Sequence, residues 1–164
     1  MTKGIRNYIG IAAILACSFG SQAFAQEHGC IVLKSVAEQE KEVVNAKGEK
    51  TKQLVAAAKI VPGMEVVWTV TANNICKAPS EKVTINLPVP EHMTFVANSA
   101  SGAGSDISYS LDGKSFGTNG QLTVKDNGAA RPARTDEYRH VRWTFKDSLA
   151  PGATAMARFR AVLN

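Results

Sequence analysis

The chain has 164 residues, 45% of them apolar, with 19 Lys and Arg against 14 Asp and Glu and a net charge of +5. That excess is mild and scattered, which argues against nucleic acid as a partner; it suits an anionic envelope polymer or lipid head group better. The length allows one domain with a real hydrophobic core.

Residues 1–7 carry Lys3 and Arg6 and no acid, residues 8–20 form an apolar core, and Ser21-Gln22-Ala23-Phe24-Ala25 follows. A basic start, an apolar run and small residues at −3 and −1 predict a signal peptide over residues 1–25, cut before Gln26. The apolar run is shorter than the roughly 20 residues of a membrane span, so no transmembrane span is expected after cleavage. Removing 25 of the 164 residues leaves 139, and losing Lys3 and Arg6 leaves 17 basic residues against 14 acids. The expected location is periplasmic or extracellular, reached by the general secretion route. A rival processing site is Ile14-Leu15-Ala16-Cys17, which loosely resembles a lipobox and would make Cys17 a lipid anchor. The bulky Leu15 just before Ala16 is unfavourable in such a site.

The mature chain would open Gln26-Glu27-His28. A free amine, two deprotonated amides and a third-position imidazole make a square-planar nitrogen set for Cu(II) or Ni(II). Cyclisation of Gln26 would remove the amine. Of three cysteines, Cys30 and Cys76 survive cleavage, and an even pair in an oxidising compartment reads as a disulfide.

Residues 30–60 admit two readings. Leu33, Val36, Glu40, Val43, Val44 and Lys47 follow helical spacing, and Ala56-Ala57-Ala58 adds helix propensity. Asn45-Ala46-Lys47-Gly48 reads as a turn, however, which favours a long polar hairpin with arms at 31–44 and 52–60. Its charged middle would blunt an exposed sheet edge.

From Val61 onward, period-2 alternation dominates. Pro62-Gly63 opens a strand in which Val66, Trp68, Val70 and Ala72 share a face. Val83, Ile85 and Leu87 form the next row, stopped by Pro88 and Pro90; Met93, Phe95 and Ala97 follow. Residues 99–105 are a small-residue loop, and Ile107, Tyr109 and Leu111 line a strand ending at Asp112-Gly113. There, Gly113-Lys114-Ser115-Phe116-Gly117 matches the G-x-S-x-G string of hydrolases. That chemistry needs a strand–elbow–helix setting, whereas Thr118-Asn119-Gly120 predicts a loop. Leu122 and Val124 mark a short strand before Asp126-Asn127-Gly128. Residues 127–138 are long for a hairpin connection and are the expected recognition loop. Val141, Trp143 and Phe145, then Ala157, Phe159, Ala161 and Leu163, make the closing strands. Arg142, Lys146, Arg158 and Arg160 are expected to point outward from neighbouring strands as an anion-binding patch, or as a merely solvated face. His92 and His140 have no i+2 or i+4 histidine partner, so neither indicates a metal cluster, and no motif pairs carboxylates for acid–base work.

Val61-Pro62-Gly63-Met64-Glu65, with the alternation through Asn74, resembles the conserved bacterial surface repeat that is eleventh in the catalogue of domains of unknown function. Leu87-Pro88, with the strand through Phe95, resembles its second landmark, and Leu149-Ala150-Pro151-Gly152 its closing strand. The resemblance implies an immunoglobulin-like sandwich in exported or surface proteins, usually in tandem, with no catalytic residues to carry over. This chain departs from the pattern by holding one copy, by Cys76 where the family commonly has Gly, and by its longer N-terminal hairpin.

The expectation is therefore an all-β, immunoglobulin-like antiparallel sandwich of seven to nine strands. A single domain at 26–164 would comprise the 30–60 hairpin and a family-like core at 61–163. Its expected role is a non-enzymatic interaction or structural module of the cell envelope, without a cofactor, whose partner is an envelope protein or polysaccharide. The alternatives are a metal-binding protein using Gln26, Glu27 and His28, and after it a hydrolase.

Overall fold

Alternating side chains become paired strands wherever a second sheet is available to bury one face. A computed structural model describes residues 29–45 and 48–164. The expected signal peptide, Cys17 and the Gln26-Glu27-His28 tripeptide lie outside the described residues. The strands are β1 (Ile31–Val44), β2 (Lys50–Ala56), β3 (Glu65–Asn74), β4 (Thr84–Pro88), β5 (Met93–Phe95), β6 (Ser105–Ser110), β7 (Thr123–Asp126), β8 (Ala129–Pro132), β9 (His140–Phe145) and β10 (Thr154–Leu163). One 3-10 turn, Thr135–Glu137, precedes β9.

A five-stranded sheet runs β2-β1-β3-β10-β5, a three-stranded sheet runs β4-β9-β6, and β7-β8 forms a separate ribbon. All pairings are antiparallel. The two sheets make the expected all-β, immunoglobulin-like sandwich. Their eight strands fall within the expected number; the ribbon adds two. From β3 to β6 and again from β9 to β10, each connection carries the chain across to the other sheet.

The core lies between the sheets. Val66, Val70 and Ala72 of β3 and Ala155, Ala157, Phe159 and Ala161 of β10 face Ile85, Tyr109, Val141, Trp143 and Phe145 of the smaller sheet. The alanine row on β10 leaves room for the Trp143 indole, which is fully buried and 6.3 Å from the Phe159 ring. Small residues opposite large ones let the layers interdigitate. Phe95, Tyr109 and Tyr138 extend the aromatic cluster, with Tyr109 stacked on Tyr138 at 4.7 Å.

The hairpin reading of residues 30–60 holds, and the helical one does not. Eight successive residues of β1, starting at Ile31, pair with β3, and the remainder with β2. Sheet pairing supplies partners for every second backbone group, which outweighs a weak helical propensity. The second arm begins at Lys50 and ends at Ala56, earlier than residues 52–60. Residues 57–60 instead turn inward, where Ala57 and Ile60 pack against the core.

Residues 127–138 are also more ordered than a recognition loop requires. Asn127 and Gly128, both at positive φ, make a tight turn between β7 and β8. Two-residue turns of this hand match the twist of the strands they join. Beyond β8, Arg131 grips Glu137 through two hydrogen bonds of 2.7 and 2.8 Å, and Tyr138 is buried in the core. The segment is a clasped hairpin anchored by an aromatic side chain.

Candidate functional site

Strand β1 has two halves with different neighbours. Residues 31–38 pair with β3 on one side; on the other, β2 accompanies only residues 38–44. The last bond between the arms runs from the Ala57 N–H to the Ala37 carbonyl, 3.0 Å. Because residues 57–60 then dive under the sheet to pack on the core, no described strand continues beside residues 31–35.

Backbone groups alternate in direction along an antiparallel strand. The Ala37 carbonyl points to the β2 side, and the Cys30 carbonyl, which accepts from Ile75 N–H at 2.8 Å, points to the β3 side. Ile31, Leu33 and Ser35 therefore direct their N–H and C=O groups outward from the open side. The side chains along this stretch are exposed and apolar: Val32, Leu33 (54% exposed) and Val36. Leu33 has the parity of the inner face, but the three-stranded sheet is too narrow to cover it. Lys34 is exposed between them.

Charge divides the strand in the same place. In the β2-paired half, Glu40 bonds Arg160 of β10, Lys52 approaches it at 3.4 Å, and Arg160 also donates to Glu65 at 2.6 Å. The Arg160 bond, then Lys52, holds the Glu40 carboxyl below its ordinary range. Thr69 joins the network, donating to Glu38 and accepting from Arg158. Val67 lies fully buried beneath it on the outer face, covered by the stems of the flanking Glu38 and Arg160. The open half has no such balance. Lys34, the one charged side chain in residues 31–35, carries no ion pair among the described residues.

Cys30, at the start of this edge, is joined to Cys76, the disulfide expected from the even pair of cysteines that follows residue 25. Asn74 secures the same end. Its amide donates to the Ala78 and Leu149 carbonyls, both at 2.8 Å, while its Oδ1 accepts from Cys76 N–H at 3.0 Å. The bridge and this amide tie β1, β3 and the β9–β10 connection into one fixed frame behind the open edge.

The four basic residues expected to form one patch do not meet. β9 and β10 share the final third of the sequence but belong to different sheets. Arg142, on the smaller sheet, stacks its guanidinium 3.4 Å over the Phe116 ring, and Lys146 pairs with Asp106 at 2.8 Å. Arg158 and Arg160 are on the larger sheet, engaged with Thr69 and with Glu40 and Glu65. The expectation of neighbouring strands fails because the connection between them crosses the sandwich.

The G-x-S-x-G string is a turn. Asp112 Oδ1 accepts from the Lys114 and Ser115 N–H groups at 2.8 and 2.9 Å, and from the Ser110 hydroxyl. The Ser115 bond first, then the Lys114 bond, lower the Asp112 carboxyl to about 2. His140 packs against Gly113, where a Cβ would come within 2.8 Å of the imidazole. No group of three metal-ligating side chains occurs among the described residues. A cavity of about 440 Å³ is lined from both sheets, with Val83, Phe145 and Leu149 as apolar walls and Ser101, Asp147 and Arg158 among its polar ones.

Sequence reasoning missed Val32, Leu33 and Val36 as site residues. The available signal was the run Ile31-Val32-Leu33, which places apolar residues on both faces of a strand otherwise polar on one side. No family model matches the chain, and no curated protein matches it.

Proposed function

We propose that the chain is an exported, disulfide-bridged interaction module of the bacterial cell envelope, without a catalytic role, that binds an envelope protein through the open side of β1. The observation that carries this reading is the coincidence, over residues 31–36, of outward-facing backbone groups on Ile31, Leu33 and Ser35 with exposed Val32, Leu33 and Val36. An unpaired strand edge is a template for another chain, and proteins that do not use one usually cover it. The signal-peptide pattern, the Cys30–Cys76 bridge and the resemblance to a bacterial surface repeat support an exported setting.

The test is site-specific photo-crosslinking in the native envelope, with the photoreactive residue at Val36 and, as a control, at Lys125 on the β7–β8 ribbon. A discrete protein adduct at Val36 that is absent at Lys125 is expected. Equal labelling at the two positions, or none at either, refutes the assignment. Intact mass of the same preparation, starting at Gln26 and two hydrogens short of the reduced form, is the expected signature of soluble export; a mass starting at acylated Cys17 would replace it with a lipid-anchored form.

A further inference from the structure

We infer that the open side of β1 takes an added strand from a partner whose extended segment alternates apolar residues with an acidic one placed beside Lys34. This rests on the interaction reading above and names the chemistry of the segment bound.

The space is of strand size. Residues 31–35 span about 17 Å at the usual rise, enough for an incoming strand of about five residues. Its end is set by Ala57, which occupies the position opposite Ala37. Its hydrogen bonds are waiting on Ile31, Leu33 and Ser35, and the register of β1 with β3 is continuous through this stretch, so pairing on the open side needs no rearrangement of the sheet. Side-chain preference follows from the pleat. On the outer face an incoming strand meets Val32, Lys34 and Val36 in turn, which favours apolar, acidic, apolar. On the inner face it meets Leu33, which favours a second apolar row.

Charge selects among occupants. Lys34 is the one charged side chain in residues 31–35 and has no carboxylate partner among the described residues. Glu38 and Glu40, the nearest acids along β1, are already engaged by Thr69 and by Arg160 and Lys52. A second copy adding edge to edge would bring Lys34 towards Lys34 of its twin, and like charges across strands are unfavourable. The same lysine that opposes self-association favours an acidic guest.

The test uses the mature full chain and two soluble probes, the capped peptides Thr-Val-Leu-Glu-Leu-Val-Thr and Thr-Val-Leu-Lys-Leu-Val-Thr. Affinity is read by fluorescence anisotropy, and the site by amide hydrogen exchange. The glutamate peptide is expected to bind about tenfold more tightly than the lysine peptide, and to slow exchange at the Leu33 and Ser35 amides about tenfold. Lys34→Glu should reverse the preference. Ser35→Pro removes an N–H that the sheet itself does not use and should abolish binding; if that variant does not fold, the Lys34→Glu reversal decides alone. Equal affinities for the two peptides, or unchanged exchange at Leu33 and Ser35, overturns the inference. If an envelope protein nevertheless crosslinks at Val36, only the acidic-strand assignment falls and the interaction reading stands. If the crosslink is also absent, both fall.

Discussion

Replacing Asn74 by Ala deletes three hydrogen bonds at once from a side chain with no solvent exposure. The Ala78 and Leu149 carbonyls and the Cys76 N–H would each lose a partner. An unsatisfied buried polar group costs about 1–3 kcal/mol, less where water can reach it. The Leu149 carbonyl keeps its bond from the Ser80 N–H, 2.9 Å. Cys76 is only half-buried and Ala78 is exposed, so the lower end applies to each of these two, and the sum is about 2 kcal/mol. For a domain of this size that lowers the melting midpoint by roughly 7 °C. Chemical denaturation of the oxidised protein measures it directly. Asn74→Asp separates hydrogen bonding from shape. Its second oxygen would face two carbonyl oxygens, so ionisation is resisted and the folded-state pKa rises above the unfolded value. A raised pKa gives stability that is present at low pH and lost as pH rises through it, so this variant should become more stable, relative to wild type, as pH falls from 7 towards 4. A cost below about 1 kcal/mol for Asn74→Ala, or an Asp variant as stable as wild type at pH 7, would refute the reasoning.

Other consequences are as direct. The Cys30–Cys76 bridge spans 46 residues, so its removal by Cys30→Ala with Cys76→Ala should cost up to about 4 kcal/mol, read as a lower urea midpoint under non-reducing conditions. Glu137, lowered to about 2 by Arg131 and then by the Arg134 N–H, contributes stability above its ordinary value near 4.5 that is lost as pH falls towards 2; Glu137→Gln should flatten that part of the stability–pH curve. Gly102→Ala would set a Cβ 2.7 Å from Trp143 Cδ1 and 2.9 Å from Ser105 Oγ. Overpacking of this kind costs about 1–3 kcal/mol, visible as an earlier unfolding midpoint and a shifted tryptophan emission.

Much of the fold was legible because alternation reports directly on which face a residue takes. Val66, Val70 and Ala72, or Val141 and Trp143, lie inward as their period requires, and the expected Cys30–Cys76 pair is joined. What alternation does not report is which sheet a strand joins. Arg142 and Arg158 both read as outward, and both are on outer faces, but those faces are on opposite sides of the molecule. The open edge was hidden for a related reason. Nothing local in residues 31–35 says that β2 will stop at Ala56; that depends on Ala57 and Ile60 finding the core instead. Tyr138 shows the same effect in residues 127–138, where an aromatic ring fastens a segment whose composition suggests a loop.

The hairpin tip beyond Glu40 projects past the start of β3, with Val44 among the most exposed apolar side chains. Such a ribbon is where a protease reaches the backbone first. A cut between Val44 and Lys50 would separate β1 from the rest of the chain, yet the fragment would keep its ladder with β3 and its covalent tie from Cys30 to Cys76. The severed strand would stay in place, open edge included, and the nicked molecule would weigh only one water more until a reductant let the two pieces part. The disulfide therefore does more than add stability: it insures the exposed edge strand against a break in its own chain.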